Sequence, residues 1–215
     1  FIAVFAGFLL RKKTFIIEQN AVPGLTNRIL GHLVHKIFLT FSVSAKYFNP
    51  RKVMVVGNPL RRQIEEALTG EKMTGNKNQK FTVLILGGSQ GALSLNEAFL
   101  EAIKLLGDRK FDLRIIHQTG KISNESVRAK YSAMGLDASV YEFIEDLENV
   151  YPLCDLVVSR AGAGGISEIM AFGKASILVP YPFAADNHQW ENARVLAEAK
   201  AAVVIKDDPE LANNL

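Results

Sequence analysis

The sequence contains a single cysteine, Cys154, one tryptophan and four histidines among 215 residues. One thiol cannot form an internal disulfide, so cystine-stapled secreted scaffolds are excluded and a reducing compartment fits best. Its flank, YPLCDLVV, casts Cys154 as a small buried hydrophobe. Long apolar runs are also missing. The longest, FIAVFAGFLL (1–10), is half the roughly 20 residues of a membrane-spanning helix, and its basic cluster Arg11-Lys12-Lys13 follows it, whereas a signal peptide's charges come first. It reads as a buried helix. Gly70 and Gly75 have the spacing of a nucleotide-binding P-loop, but Asn76 stands where the lysine belongs. No Asp-x-Asp pair and no His/Cys cluster of ligand spacing occurs, which disfavours metal-dependent chemistry. His32, His35, His117 and His188 each have a plain structural reading, and none is assigned as a general base.

What is present is the composition of a globular protein, 48% hydrophobic and 22% charged. At about 150 residues per domain the length suits one large domain or one and a half ordinary ones. The chain opens on Phe1, and its last stretch, DDPELANNL, stops where Asp208 and Pro209 suggest a helix cap and first turn. A piece of a longer protein is expected. The net charge of +3 hides an asymmetry: residues 1–80 hold 13 Lys and Arg against 4 acids, and the remainder 12 against 18. The basic half points to an anionic surface such as lipid. Nucleic acid is not expected, because the basic residues are dispersed and no aromatic recognition motif accompanies them.

From residue 81 the chain alternates short apolar runs with amphipathic stretches. The runs are FTVLIL (81–86), LRIIHQ (113–118), ASVYEF (138–143), DLVVS (155–159), ASILVP (175–180) and AAVVI (201–205). Continuously apolar runs are strands covered on both faces, and their alternation with helices such as 93–106 and 187–199 predicts a doubly wound α/β sheet. Before residue 81 the pattern recurs in shortened form, with strands at 14–18 and 52–56 and helices before Arg11 and around 26–33. A domain boundary is placed near Asn58, giving units 1–58 and 59–215. The polar stretch 70–80 reads as a loop.

Ligands of open α/β sheets bind beyond the carboxyl ends of the strands. There GGSQGA (87–92) follows a strand and opens a helix, as a phosphate cradle does. RAGAGGISE (160–168) is a second glycine-rich helix start. Its Gly162, Gly164 and Ser167 only approach the dinucleotide fingerprint, and Glu168, read as lying in the first helical turn, could accept the vicinal hydroxyls of a ribose. Arg61 and Arg160 are the cations available to a diphosphate.

Seven blocks, IEQNAVPGLTNR (17–28), GNPLR (57–61), GGSQGA (87–92), HQTG (117–120), EFIEDL (142–147), SRAGAGGISEI (159–169) and PYPFAADNHQWENA (180–193), together resemble the MurG family of bacterial cell-wall N-acetylglucosaminyltransferases. The resemblance implies the GT-B fold, two Rossmann-like domains facing across a cleft, the first of them incomplete in these residues. It implies an inverting, metal-independent transfer of N-acetylglucosamine from UDP-N-acetylglucosamine to the lipid I acceptor, giving lipid II. The implied setting is the cytoplasmic face of the bacterial inner membrane, as a peripheral protein on an anionic surface, with no cofactor.

Carried onto this sequence, the family's donor contacts are Asn20, Arg61, Ser89, Ile144, Ala163, Gly164, Gly165, Ile166, Ser167, Glu168 and Gln189. Ile144 would present backbone groups to the uracil, Glu168 would hold the ribose, the Ser89 loop would face the diphosphate, and Asn20 and Gln189 would bind sugar hydroxyls. The family's catalytic histidine has no counterpart in these residues, so no base is assigned and the piece alone is expected to be inactive. Two positions depart from the pattern: Ile17 replaces the usual histidine and Gly165 a common hydroxyl residue. The alternatives are another GT-B UDP-sugar enzyme (a glycolipid glycosyltransferase or nucleotide-sugar epimerase) or a non-catalytic dinucleotide- or lipid-surface-binding module.

Overall fold

The computed structural model describes residues 1–70, 80–88 and 91–215. The Gly70–Gly75 spacing and most of the polar stretch 70–80 lie outside the described residues, as does Ser89.

The chain begins with α1 (Ile2–Leu9), β1 (Phe15–Glu18), α2 (Leu25–Leu33), β2 (Lys36–Leu39) and β3 (Val53–Val55). The three strands form a parallel sheet in sequence order, with Ile16 opposite Ile37 and Leu39 opposite Val55. Ile16, Leu30, Val34, Ile37 and Leu39 make its core. The strand β2 was not anticipated. It is four residues long and alternates exposed Lys36 and half-buried Phe38 with buried Ile37 and Leu39, too short a signal to separate from the helix before it. The expectation of a buried helix at 1–10 also fails. None of α1 is fully buried, and Phe5, Phe8 and Leu9 are exposed. An eight-residue helix that is apolar all round can bury only the stripe facing its neighbour, here α2, with Val4 reaching the core.

Next come α3 (Arg62–Thr69), β4 (Phe81–Leu86), α4 (Leu93–Leu105), β5 (Leu113–Gln118), α5 (Asn124–Ala133) and β6 (Asp137–Tyr141). The chain continues through α6 (Leu147–Val150), β7 (Leu156–Ser159), α7 (Ala163–Ala171), β8 (Ala175–Leu178), α8 (His188–Glu198), β9 (Ala202–Val204) and α9 (Leu211–Asn214). All six strands run parallel in the order β6-β5-β4-β7-β8-β9. The expected doubly wound sheet is therefore present. The chain leaves β4 toward one edge, then returns to its other side at β7, so the two strands flank a topological switch point.

Strand pleating sends alternate side chains to opposite faces. Leu84, Leu86 and Ile116 pack with Ile64, Tyr151, Ile166 and Ile169 on one face, while Val83, Ile85 and Ile115 pack with Leu95, Phe99 and Leu100 on the other. Truncating fully buried Leu84 to alanine would cost about 2–5 kcal/mol. At the chain's end, Asp208 and Pro209 do not start a helix as expected. Asp208 Oδ1 accepts the Glu210 N–H in a turn, and α9 begins at Leu211.

The first sheet is joined to the second by more than the linker. Ala21 and Phe41 enter the apolar cluster formed by Ile64, Leu84 and Tyr151. Asn192 on α8, fully buried, accepts the Ala21 N–H at 2.8 Å and donates to Asn20 Oδ1 at 3.1 Å and Ala161 O at 3.2 Å. Ser44 Oγ donates to the Asn20 and Ala21 carbonyls. The loop after β1 is thus fixed against the start of α7 and the middle of α8.

Candidate functional site

The carboxyl ends of β4, β5 and β7 lie side by side, with Leu86 paired to both Gln118 and Ser159. Beyond β4 the chain turns through glycines. A Cβ on Gly87 would lie 2.7 Å from the Ala92 nitrogen, and one on Gly91, at φ +80°, would lie 2.5 Å from the Thr119 carbonyl oxygen. Only glycine fits a backbone seated this closely. The next residue, Ala92, is the N-cap of α4 and has no side-chain oxygen to offer. Gly162 at the N-cap of α7 has none either. Two helix N-termini with unfilled N–H groups therefore face the switch point, the arrangement that favours an anion.

Gly164 and Gly165 enter α7 rather than preceding it, which moves Glu168 into the second turn instead of the expected first. Ile166 already donates its N–H to Gly162 O, its side chain is buried in the core, and Ser167 Oγ donates to Ala163 O at 2.7 Å. The N–H groups without a helical partner are those of Ala163, Gly164 and Gly165.

One turn further, Glu168 projects into a cavity of about 280 Å3 shared with Arg61, Gly88, Gln118, Tyr151 and Gly165. Arg61 Nε donates to Glu168 Oε1 and the Tyr151 hydroxyl donates to Oε2, each at 3.2 Å. Arg61 comes from the segment joining the two sheets and is 44% exposed, so a large part of its charge remains open to solvent or to a ligand. Tyr151 is stacked on Phe172 with ring centres 5.0 Å apart. Burial, and then the neighbouring Glu168 carboxylate, push its phenol far above the ordinary tyrosine value, so it stays a neutral donor.

From the chain after β6, Phe143 and Leu147 also line the cavity, with Ile144 behind them. Ile144 is buried and its N–H donates to Gln118 Oε1 at 2.9 Å, while Gln118 Nε2 donates to Gly88 O at 3.1 Å. Asn20 and Gln189 stand apart from this cavity's lining. Asn20 is held by Asn192 and by Glu18, whose Oε1 accepts its backbone N–H at 2.9 Å; Gln189 Oε1 accepts the Tyr181 N–H. Arg160 lines the cavity but is committed elsewhere. It pairs with Asp207 at 2.7 Å and donates to Ser94 Oγ and Val179 O, so that of the two arginines lining the cavity among the described residues Arg61 is the more exposed.

Tyr151 and Gln118 were missed as functional residues in the sequence. In the sequence Tyr151 stands only as the flank of Cys154, which is buried as expected. Gln118 lay in view within HQTG, a block given no chemical role.

A profile of the glycosyltransferase family 28 C-terminal domain matches residues 82–215. The chain belongs to this family. It is 47% identical over 205 residues to the UDP-N-acetylglucosamine–N-acetylmuramyl-(pentapeptide) pyrophosphoryl-undecaprenol N-acetylglucosamine transferase of Syntrophus aciditrophicus, covering 95% of this chain and 56% of that protein. The protein of the same name in Myxococcus xanthus is 43% identical, with 95% and 52% covered. The crystal structure of Acinetobacter baumannii MurG superposes with a TM-score of 0.75 at 31% identity, over 98% of this chain and 59% of that one. The S. aureus MnaA–UDP co-structure gives 0.68 at 15% identity, over 100% and 61%, a likeness of fold alone. The sequence resemblance to MurG and the GT-B fold are thereby borne out. The chain spans about half the length of the curated relatives it matches.

Proposed function

We propose that this family 28 chain is the donor-binding part of a MurG-type enzyme, moving N-acetylglucosamine from UDP-N-acetylglucosamine to lipid I with inversion. In this reading residues 59–215 form the nucleotide-sugar domain. Residues 1–58 belong to the acceptor-side domain, which meets the anionic cytoplasmic face of the inner membrane. The observation that carries the proposal is Glu168, held by Tyr151 and Arg61 beside two uncapped helix N-termini at the β4/β7 switch point.

Each group then has a task set by its chemistry. A carboxylate fixed on two sides accepts from the 2′- and 3′-hydroxyls of a ribose, which a phosphate could not approach without repulsion. We assign the diphosphate to the N–H groups of Ala163, Gly164 and Gly165 and, by the resemblance alone, to Ser89. The charge that grows on the leaving UDP is met by these dipoles and by Arg61. Since the Ile144 N–H is already engaged by Gln118, its carbonyl is the group left to face a uracil N3–H. Asn20 and Gln189, on the two sides of the cleft, would bind the transferred sugar. His117 is fully buried and His35 Nδ1 accepts the Thr14 N–H, so neither serves as the base that deprotonates the acceptor.

Calorimetric titration of the 215-residue chain with UDP tests the reading. We expect binding that weakens tenfold or more in Glu168→Ala. A folded chain that takes up no UDP, or a Glu168→Ala variant that binds it unchanged, would overturn the donor-site assignment.

A further inference from the structure

Three consecutive residues, His117 and Gln118 at the end of β5 and Thr119 just after it, are buried and polar, and none has been given a role toward the ligand. Each side chain spans between segments. His117 Nε2 lies 3.0 Å from Asn96 Oδ1 and Nδ1 lies 2.9 Å from the Tyr131 hydroxyl. Asn96 Nδ2 donates to Thr119 O, so its Oδ1 is the acceptor, the Nε2 of His117 carries the proton, and Tyr131 donates to Nδ1. That chain of bonds holds the Thr119 carbonyl in the place where Gly91 rests on it. Thr119 Oγ1 in turn accepts from Asn124 and donates toward the Gly120 and Tyr141 carbonyls.

Gln118 makes the most consequential span. It is 3% exposed, its backbone carbonyl accepts the Gly87 N–H, and its side-chain amide joins two otherwise separate loops: Nε2 to Gly88 O at 3.1 Å and Oε1 to the Ile144 N–H at 2.9 Å. The amide orientation is forced. Gly88 O only accepts and the Ile144 N–H only donates, so the flipped rotamer would set acceptor against acceptor and donor against donor. A glutamine amide offers both groups at this length without any change of protonation state.

We propose that Gln118 is a positioning residue that struts the phosphate-facing loop against the base-facing segment, fixing their separation to the span of a nucleoside diphosphate. This rests on the donor-site reading above. A rigid strut has a signature that mere support of either loop lacks: it matters most for a ligand that must satisfy both loops at once. A fragment touching only one loop can follow that loop wherever it relaxes. A ligand joining both meets the full cost of restoring their separation.

The test compares the wild-type 215-residue chain with Gln118→Met, which keeps the length and removes both hydrogen bonds, and with Gln118→Asn, too short to reach both partners. UDP, uridine and pyrophosphate are titrated separately, with thermal unfolding to establish that each variant is folded. Expected is a loss of about tenfold for UDP and less than twofold for uridine and for pyrophosphate. In the ligand-free chain, amide hydrogen exchange at Ile144 should accelerate at least tenfold in Gln118→Met. UDP affinity within twofold of wild type in both variants, or equal losses for UDP and uridine, would overturn the strut while leaving the donor site standing. Unchanged exchange at Ile144 would overturn it without reference to any ligand. A wild-type chain that binds no UDP would bring down the donor reading and the strut together.

Discussion

The Tyr151 hydroxyl donates to Glu168 Oε2 across 3.2 Å from a fully buried ring, so the carboxylate assigned to the ribose is aimed from below by a neutral phenol and from the side by Arg61. Replacing Tyr151 with phenylalanine keeps the stack on Phe172 and removes only the donor. A hydrogen bond to a charged group contributes about 1.5–3 kcal/mol, though part returns as water reaches the carboxylate. UDP affinity in calorimetry should fall about threefold to tenfold, and the melting temperature should drop by about a few degrees.

If Glu168 reads the ribose hydroxyls, the sugar of the nucleotide should matter through this residue alone. The wild-type chain should bind UDP at least tenfold more tightly than 2′-deoxyuridine diphosphate, and Glu168→Gln should compress that ratio toward unity. The ratio is obtained by competition between the two nucleotides. Equal discrimination by both proteins would assign the ribose to another group.

Asn192 is fully buried and makes three hydrogen bonds that reach both sheets. Alanine there leaves the Ala21 N–H without its partner in the apolar cluster, and a loss of about 2–3 kcal/mol is expected from urea denaturation. Aspartate should be at least as damaging. It keeps the acceptor but presents a charge to Asn20 Oδ1 and the Ala161 carbonyl, where the amide had donated.

Burial pulls the His117 imidazole down to about 3 from the usual 6.5, so the folded chain keeps it neutral. Between those values the unfolded chain binds a proton that the folded chain does not, and stability falls as pH falls, by about 1.4 kcal/mol per unit. From pH 7.5 to 5.0 this one group should remove about 2 kcal/mol. Urea midpoints at the two pH values, compared between wild type and His117→Gln, isolate it: the variant should show the smaller loss.

Parts of this architecture were legible in the sequence for a physical reason. The run FTVLIL is apolar at every position but Thr82 because both faces of β4 are covered from Thr82 onward, and a strand buried on both sides needs no alternation to be recognised. The glycines of 87–92 are readable because close approach at Gly87 and Gly91 and a positive φ at Gly88 favour no other residue. The exposed helix α1 was misread because apolar composition states what a segment could bury, not what lies beside it. The roles of Tyr151 and Gln118 leave no local mark for a related cause. Their roles are long-range hydrogen bonds, to Glu168 seventeen residues on and to Gly88 thirty residues back, and no local pattern encodes a partner. Glu168 itself was found, but its turn was off by one because Gly164 and Gly165 look like loop and are helix.

The placement of β4 between β5 and β7 has a mechanical consequence. Both strands that support the ligand-facing loops are laddered to it along their length, with six paired residues on one side and four on the other. The glycine turn, Gln118 and the start of the α7 loop therefore stand on the interior strands of the six-stranded sheet, away from its edge strands β6 and β9. Their spacing is then set by the register of three paired strands rather than by the loops themselves.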